Sequence, residues 1–283
     1  MIHGTISQEN NTSFILDEVG VRHFEERTIW DGYLSHWTGQ KVFVRELGQL
    51  DYNKKEPIII LWPDEKEPKE PFIDLYYNER LVKYFTSLLG HTAINVNGSI
   101  FNFSHLMNEN EIMAKEVYFY RPALGEFAPS PINGKFEILE DGRAFYDKFG
   151  RNFMRTIHRI RIFGLDTENF MSELTQSLER ILNTPPNPAE PEKYRDFSMV
   201  SNNCATVIRD AFNVCGFPEI AGRFPRDLFV NATYHLVNYS DLDIQYTKLP
   251  QLTVMEAPMS RVSPLLNFRN YFRKNELRIF ESS

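Results

Sequence analysis

Asn97-Gly98 lies between two β-rich runs, Gly90-His91-Thr92-Ala93-Ile94-Asn95-Val96 and Ser99-Ile100-Phe101-Asn102-Phe103-Ser104. Asn-Gly in that position is the strongest short-range hairpin signal, because both central residues of a type I′ turn need positive φ. A two-residue turn also fixes the register: Val96 pairs with Ser99, Ala93 with Asn102 and His91 with Ser104. Side chains alternate along a strand, so His91, Ala93, Asn102 and Ser104 share one face and His105 falls on the other. Asn102 is then the diagonal neighbour of His91, about 7–8 Å away by Cα and within side-chain reach. A polar group that holds an imidazole in one orientation and tautomer is what a histidine base requires. A histidine at a strand start is also a common structural residue, but small Ala93 beside it leaves room for a partner.

A base needs a nucleophile, and Ser201-Asn202-Asn203-Cys204-Ala205-Thr206-Val207-Ile208 supplies a candidate. The run reads as a helix start, with Asn202 or Asn203 able to cap it by accepting from a free N–H of the first turn. Gly216 followed by Phe217-Pro218 ends the helix. At a helix N-terminus the dipole and free amides favour the thiolate, and the same amides can receive an oxyanion. Cys204, Ile208, Ala211 and Cys215 also recur at helical spacing, so Cys204 fits equally as a buried apolar residue.

Composition narrows the classes. A net charge of −7 and a pI near 5.6 argue against nucleic acid as a partner, which needs a basic face. Two cysteines are too few for a disulfide framework. No Cys/His cluster suggests a metal, and no cofactor motif is present. No apolar run is long enough for an integral membrane segment. Met1-Ile2-His3-Gly4-Thr5 shows no Sec-type signal, so the expected location is cytoplasmic as synthesised, with any export by a route that needs no cleavable signal.

Along the chain, residues 1–63 hold short strand-like runs at Thr5–Ser7, Ser13–Leu16, Lys41–Val44 and Pro57–Trp62, which predict a small OB-like or SH3-like β barrel. Residues 64–71 are charged and proline-rich, a linker. Leu81, Tyr84, Phe85 and Leu88 predict a helix over Asp74–Leu89 ended by Gly90. Strands are expected at Val117–Tyr120, Lys135–Leu139 and Ile157–Phe163, with His158 a solvated or edge residue. Asp166 should cap a helix with Phe170, Leu174, Leu178, Ile181 and Leu182 as its apolar stripe. A short helix after Arg223-Phe224-Pro225 and a strand at Asp241–Tyr246 follow. Residues 251–283 form a C-terminal extension in which Arg269, Arg273, Lys274 and Arg278 stand among Phe268, Tyr271, Phe272 and Ile279, read as a docked surface segment in preference to a binding tail.

A strand beginning Gly90-His91-Thr92-Ala93-Ile94, a polar residue on the next strand and a later Asn203-Cys204 at a helix start resemble the circularly permuted NlpC-type, papain-like hydrolases. That group includes relatives of lecithin:retinol acyltransferase, and in it the cysteine follows the histidine, as here. The resemblance covers roughly residues 72–250. It implies an α+β class, with an antiparallel sheet packed on helices behind the N-terminal barrel. It implies Cys204 as nucleophile, His91 as base and Asn102 as the orienting residue, with Asn203 and Ser104 in support. His105 or Glu116 would take the place of Asn102 if the hairpin register shifted. The implied chemistry is Cys–His acyl chemistry on a peptide or acyl substrate. Three functions follow: a cell-wall peptidase or amidase, which without a Sec signal suggests a secreted antibacterial effector with a delivery or immunity protein as partner; a lipid or protein acyl hydrolase or transferase; and a non-enzymatic adaptor in which Cys204 is core.

Overall fold

The computed structural model describes residues 1–25, 37–50, 56–81, 87–103, 111–120, 155–185, 188–189, 197–252 and 259–279. They form antiparallel sheets and a few helices, an α+β arrangement. The first sheet holds β1 (Ile2–Glu9), β2 (Thr12–Asp17), β3 (Arg22–His23), β4 (Lys41–Leu50) and β5 (Pro57–Pro63) in the order β3-β2-β1-β4-β5. All four strand-like runs of this region lie in strands. The turn between β1 and β2 is Asn10-Asn11, both at positive φ (49° and 64°), a conformation asparagine tolerates better than most residues. The expected barrel is not seen: no closed barrel is detected among the described residues. β3 pairs over two residues only, with β2, and Ile60 of β5 packs against the second sheet.

That second sheet has the order β10-β9-β8-β6-β11-β12. Its strands are β6 (Phe72–Asn78), β8 (His91–Val96), β9 (Ser99–Asn102), β10 (Glu111–Ala114), β11 (Ile157–Phe163) and β12 (Asp243–Leu249), all antiparallel to their neighbours. A short pair, β7 (Arg80–Leu81) with β13 (Ser260–Arg261), ties the C-terminal segment to the end of β6. Helices α2 (Thr167–Asn183), α3 (Cys204–Val214) and α4 (Pro225–Leu236) cover one face, meeting Ile73, Leu75, Ile94 and Val96 in a common core. The short α1 (Lys115–Tyr120) and β5 cover the other, where Val117, Tyr118, Phe119 and Ile60 meet Tyr76, Ala93 and Ile100. The helix α5 (Arg269–Leu277) closes the described chain.

Cover on both faces explains where the sequence misleads. Of the helix expected over 74–89, the described residues 74–78 and 80–81 are strand: all seven residues of β6 are buried, so its apolar run shows no alternation that would mark a strand. Tyr84 and Phe85, on which the helical stripe was built, lie outside the described residues. Val117–Tyr120 is helical, not extended, and the run Lys135–Leu139 lies outside the described residues. Asp166 does cap α2, accepting from the N–H of Asn169 at 3.0 Å. Phe170, Leu174 and Ile181 are buried beneath it, while Leu182 turns to solvent. Burial of each such side chain contributes about 1.5–3 kcal/mol.

His158 is not an edge residue. It is 1% exposed in β11, between the Glu79 carboxylate (Nε2–Oε1 3.0 Å) and the Tyr246 hydroxyl (Nδ1–O 2.7 Å), and stacked on Tyr77. On the opposite face Asp74, with no exposed surface, takes both donors of the Arg161 fork at 2.7 and 2.8 Å. It also accepts from the Tyr76 hydroxyl and from Asn95.

Replacing Asp74 by Ala strands the largely buried Arg161 guanidinium and leaves Tyr76 without its acceptor. Asp74→Ala should therefore cost about 3 kcal/mol or more, read as a lowered midpoint in urea unfolding. His158 gives a pH signature. Burial lowers its pKa from the ordinary 6.5 despite the neighbouring carboxylate. Below that pH the unfolded chain takes up a proton that the folded chain resists, so stability is lost as pH falls through about 6.5. The melting temperature should drop between pH ~7 and ~5, and His158→Gln should flatten that drop.

Candidate active site

The β8–β9 hairpin turns at Asn97-Gly98 with both residues at positive φ (50° and 91°). Its register is the one a two-residue turn dictates: Val96 opposite Ser99, Asn95 opposite Ile100, Ile94 opposite Phe101. His91 and Asn102 accordingly share a face, and the imidazole Nε2 lies 2.6 Å from the Asn102 Oδ1. An amide oxygen only accepts, so Nε2 carries a hydrogen, and in the neutral ring the lone pair is then on Nδ1. That tautomer is the one a proton acceptor at Nδ1 requires.

Gly90 sets the start of the strand. It sits at φ 71°, and a Cβ there would come within 2.5 Å of the Asn78 carbonyl and 3.1 Å of the Ser263 Oγ. Only glycine allows β8 to begin against the end of β6 and the C-terminal segment.

Cys204 opens α3, and Asn203 is the cap. Its Oδ1 accepts from the N–H groups of Ala205 (2.8 Å) and Thr206 (3.1 Å), and its own N–H donates to the Thr206 Oγ1 at 2.8 Å. The Asn203 Nδ2 donates to the carbonyls of Met199 and Arg223. Both ends of this side chain are thus committed to holding the helix start, and Asn203 supports the site without offering a free donor. The cap takes the amides of Ala205 and Thr206.

Cys204 is 8% exposed, and its thiol lies against the backbone N–H of Thr92, the residue after His91. Strand alternation turns the His91 ring to the Ala93 face of the sheet, while Thr92 and Ile94 face the helices. Cys204 therefore meets β8 at the Thr92 amide, one residue along from His91, at the end of the sheet where β8 begins. Burial pushes the Cys204 thiol up from 9.0 to about 11, against the smaller opposing pull of the amides of Thr92, Ala205 and Cys204. The helix N-terminus alone suggests a thiolate; in the resting protein desolvation outweighs it, and the thiol is neutral at pH 7.

Among the other proposed residues, Ser104 and His105 lie outside the described residues. Glu116 is not beside His91: on α1 it pairs with Arg45 at 3.2 Å and lines a cavity of ≈ 220 Å³ with Trp62, Glu67 and Lys115. Cys215 caps the C-terminus of α3, and both cysteines are free. Among the described residues no three His, Cys, Asp or Glu side chains are grouped to hold a metal. Comparison with protein-family models, curated proteins and solved structures finds no match.

Sequence reasoning missed the Thr92 amide, since a backbone donor leaves no side-chain signal. It also missed Thr206, although Asn203-x-x-Thr206 is a variant of the capping-box spacing and was readable as such.

A thiol raised by burial makes a specific pH profile. Iodoacetamide should modify Cys204 of the resting protein slowly below pH ~8.5, with the rate climbing toward pH ~11 as the thiolate forms. Adduct mass on the Cys215→Ala variant isolates this position; a plateau near neutral pH would contradict the buried, neutral thiol.

Proposed function

We propose that this chain is a cysteine hydrolase of the circularly permuted NlpC-type, papain-like kind, acting on amide bonds, with cell-wall peptides as its first substrate class. The finer fold implied by that resemblance, with an OB-like or SH3-like module ahead of the catalytic region, belongs to the same proposal. The observation that carries it is the His91–Asn102 hydrogen bond on a hairpin whose Thr92 amide meets the Cys204 sulfur. Sequence order supports it too, with histidine before cysteine.

In this reading His91 Nδ1 takes the Sγ proton as the sulfur attacks the carbonyl carbon, since the thiol starts neutral. The new S–C bond moves the carbonyl electrons onto oxygen, which the Cys204 N–H at the helix start would receive. Asn102 holds the imidazolium through Nε2–H. Collapse breaks the C–N bond, the imidazolium proton goes to the leaving amine, and water activated by His91 then hydrolyses the thioester. An enzyme of this kind acting on cell walls would be delivered as an antibacterial effector, with an immunity or delivery protein as its partner.

A second reading, an acyl hydrolase or acyltransferase acting on lipid or protein acyl groups, is favoured by one observation. Met199 and Val200, in the turn that leads into Cys204, are 61% and 51% exposed, an apolar approach to the thiol.

Soluble peptidoglycan fragments and short-chain acyl esters, each incubated with the wild type, separate these readings. Cys204→Ala and His91→Ala should each lower turnover by about a thousandfold or more. Asn102→Ala should lower it by about ten- to a hundredfold, mainly in kcat. Full activity in Cys204→Ala, or no turnover and no acyl adduct on either substrate class, would leave the adaptor reading with Cys204 as a packing residue.

A further inference from the structure

The C-terminal segment 259–279 carries five basic residues and one acidic one, in a chain whose net charge is −7. It also exposes several large apolar side chains. On and just before α5, Leu266, Phe268, Tyr271 and Phe272 are 55%, 73%, 51% and 58% exposed. Positions 268, 271 and 272 follow the i, i+3, i+4 spacing of one helix face. Exposed Arg261, Arg269 and Arg278 flank them.

This face is presented by the architecture. The buried Asp227 carboxylate at the start of α4 accepts from the N–H groups of Leu266 (2.9 Å) and Asn267 (3.1 Å) and from Asn270 Nδ2 (2.8 Å). Leu265 and Ile279 are buried on either side of the exposed stripe, and Arg273 lies over the Tyr234 ring at 5.1 Å. The inner side of α5 is therefore fully engaged, and the aromatic stripe is what remains outside.

We propose that this face docks the protein on an anionic lipid bilayer, with Phe268 and Phe272 inserted at the headgroup–acyl boundary and Arg261, Arg269 and Arg278 on acidic headgroups. Charge complementarity selects the occupant: a chain of net negative charge is repelled by an anionic surface except through a local basic face such as this one. Ring geometry favours lipid over a nucleic acid. Phe268 and Phe272 pack edge to face on each other, centroids 5.2 Å apart and planes at 83°, and not as a row of parallel stacking faces. The segment also reaches the candidate site. Ser263 donates its N–H to the Tyr77 hydroxyl at 2.7 Å, accepts from Arg226 and sits against Gly90, next to His91. Docking would set that end of the sheet beside the membrane.

Co-sedimentation of the whole chain with phosphatidylcholine vesicles, and with vesicles about one-third phosphatidylglycerol, tests this. Binding is expected to the anionic vesicles only and should weaken with added salt. Phe268→Ser/Phe272→Ser and Arg261→Ala/Arg269→Ala should each weaken it by about tenfold or more at an unchanged melting temperature. In Phe272→Trp, emission at position 272 should move to the blue on anionic vesicles and be quenched by brominated acyl chains, reporting insertion. Three results overturn the proposal: no partition of the wild type into anionic vesicles, partition undiminished in the double Phe variant, or a dimer by light scattering that the double Phe variant abolishes.

Discussion

Everything near the candidate site rests on a strand with nowhere to put a polar group. β6 lies between β8 and β11 and is covered on both faces, by helices on one and by α1 and β5 on the other. Yet it carries Asp74, and just beyond its end Glu79. Each must find donors inside the protein, because an unpaired buried charge costs far more than one paired and hydrogen-bonded. Asp74 is met by Arg161 from β11 and by Tyr76 and Asn95. Glu79 is met by His158 from β11 and Ser260 from the C-terminal segment. These bonds specify which strands flank β6, and so place β8, with His91 at its start, where α3 can reach it.

The site splits into parts the chain announces locally and parts that exist only in the assembled protein. Asn97-Gly98 determines the hairpin by backbone preference alone, so the His91–Asn102 relationship is legible from a dozen residues. Asn203 at a helix start is legible for the same reason: a cap is a local competition for free amides. The electrostatic state of Cys204 is not. Its helix start argues for a thiolate, while its desolvation comes from a sheet whose residues lie a hundred positions earlier, and desolvation prevails. The Thr92 amide is equally invisible, since every residue but proline has one.

The errors in the fold share one origin. Residues 74–78 read as part of a helix because a strand buried on both sides loses the period of two that identifies strands. His158 reads as an edge histidine because its alternating run looks half-solvated, whereas β12 covers one side of β11 and Tyr77 and Phe229 cover its ring. Several short strands within residues 1–63 suggest closure into a barrel; among the described residues no closed barrel is detected, and Ile60 packs on the second sheet. In each case a partner from distant sequence changed what a local pattern meant.

Strand order also dictates when the parts can form. Hairpins β1–β2, β4–β5 and β8–β9 close over a few residues each and cost little loop entropy. The β6–β11 ladder joins Phe72 to Phe163 and the β11–β12 ladder joins Ile157 to Leu249, so the sheet's centre waits on contacts of high sequence separation. A chain emerging from the ribosome has its histidine hairpin long before Cys204 exists, and Glu79 acquires Ser260 only once a residue 181 positions later has been made. Completion of the thiol's surroundings is thus a late event, coincident with closure of the whole second sheet.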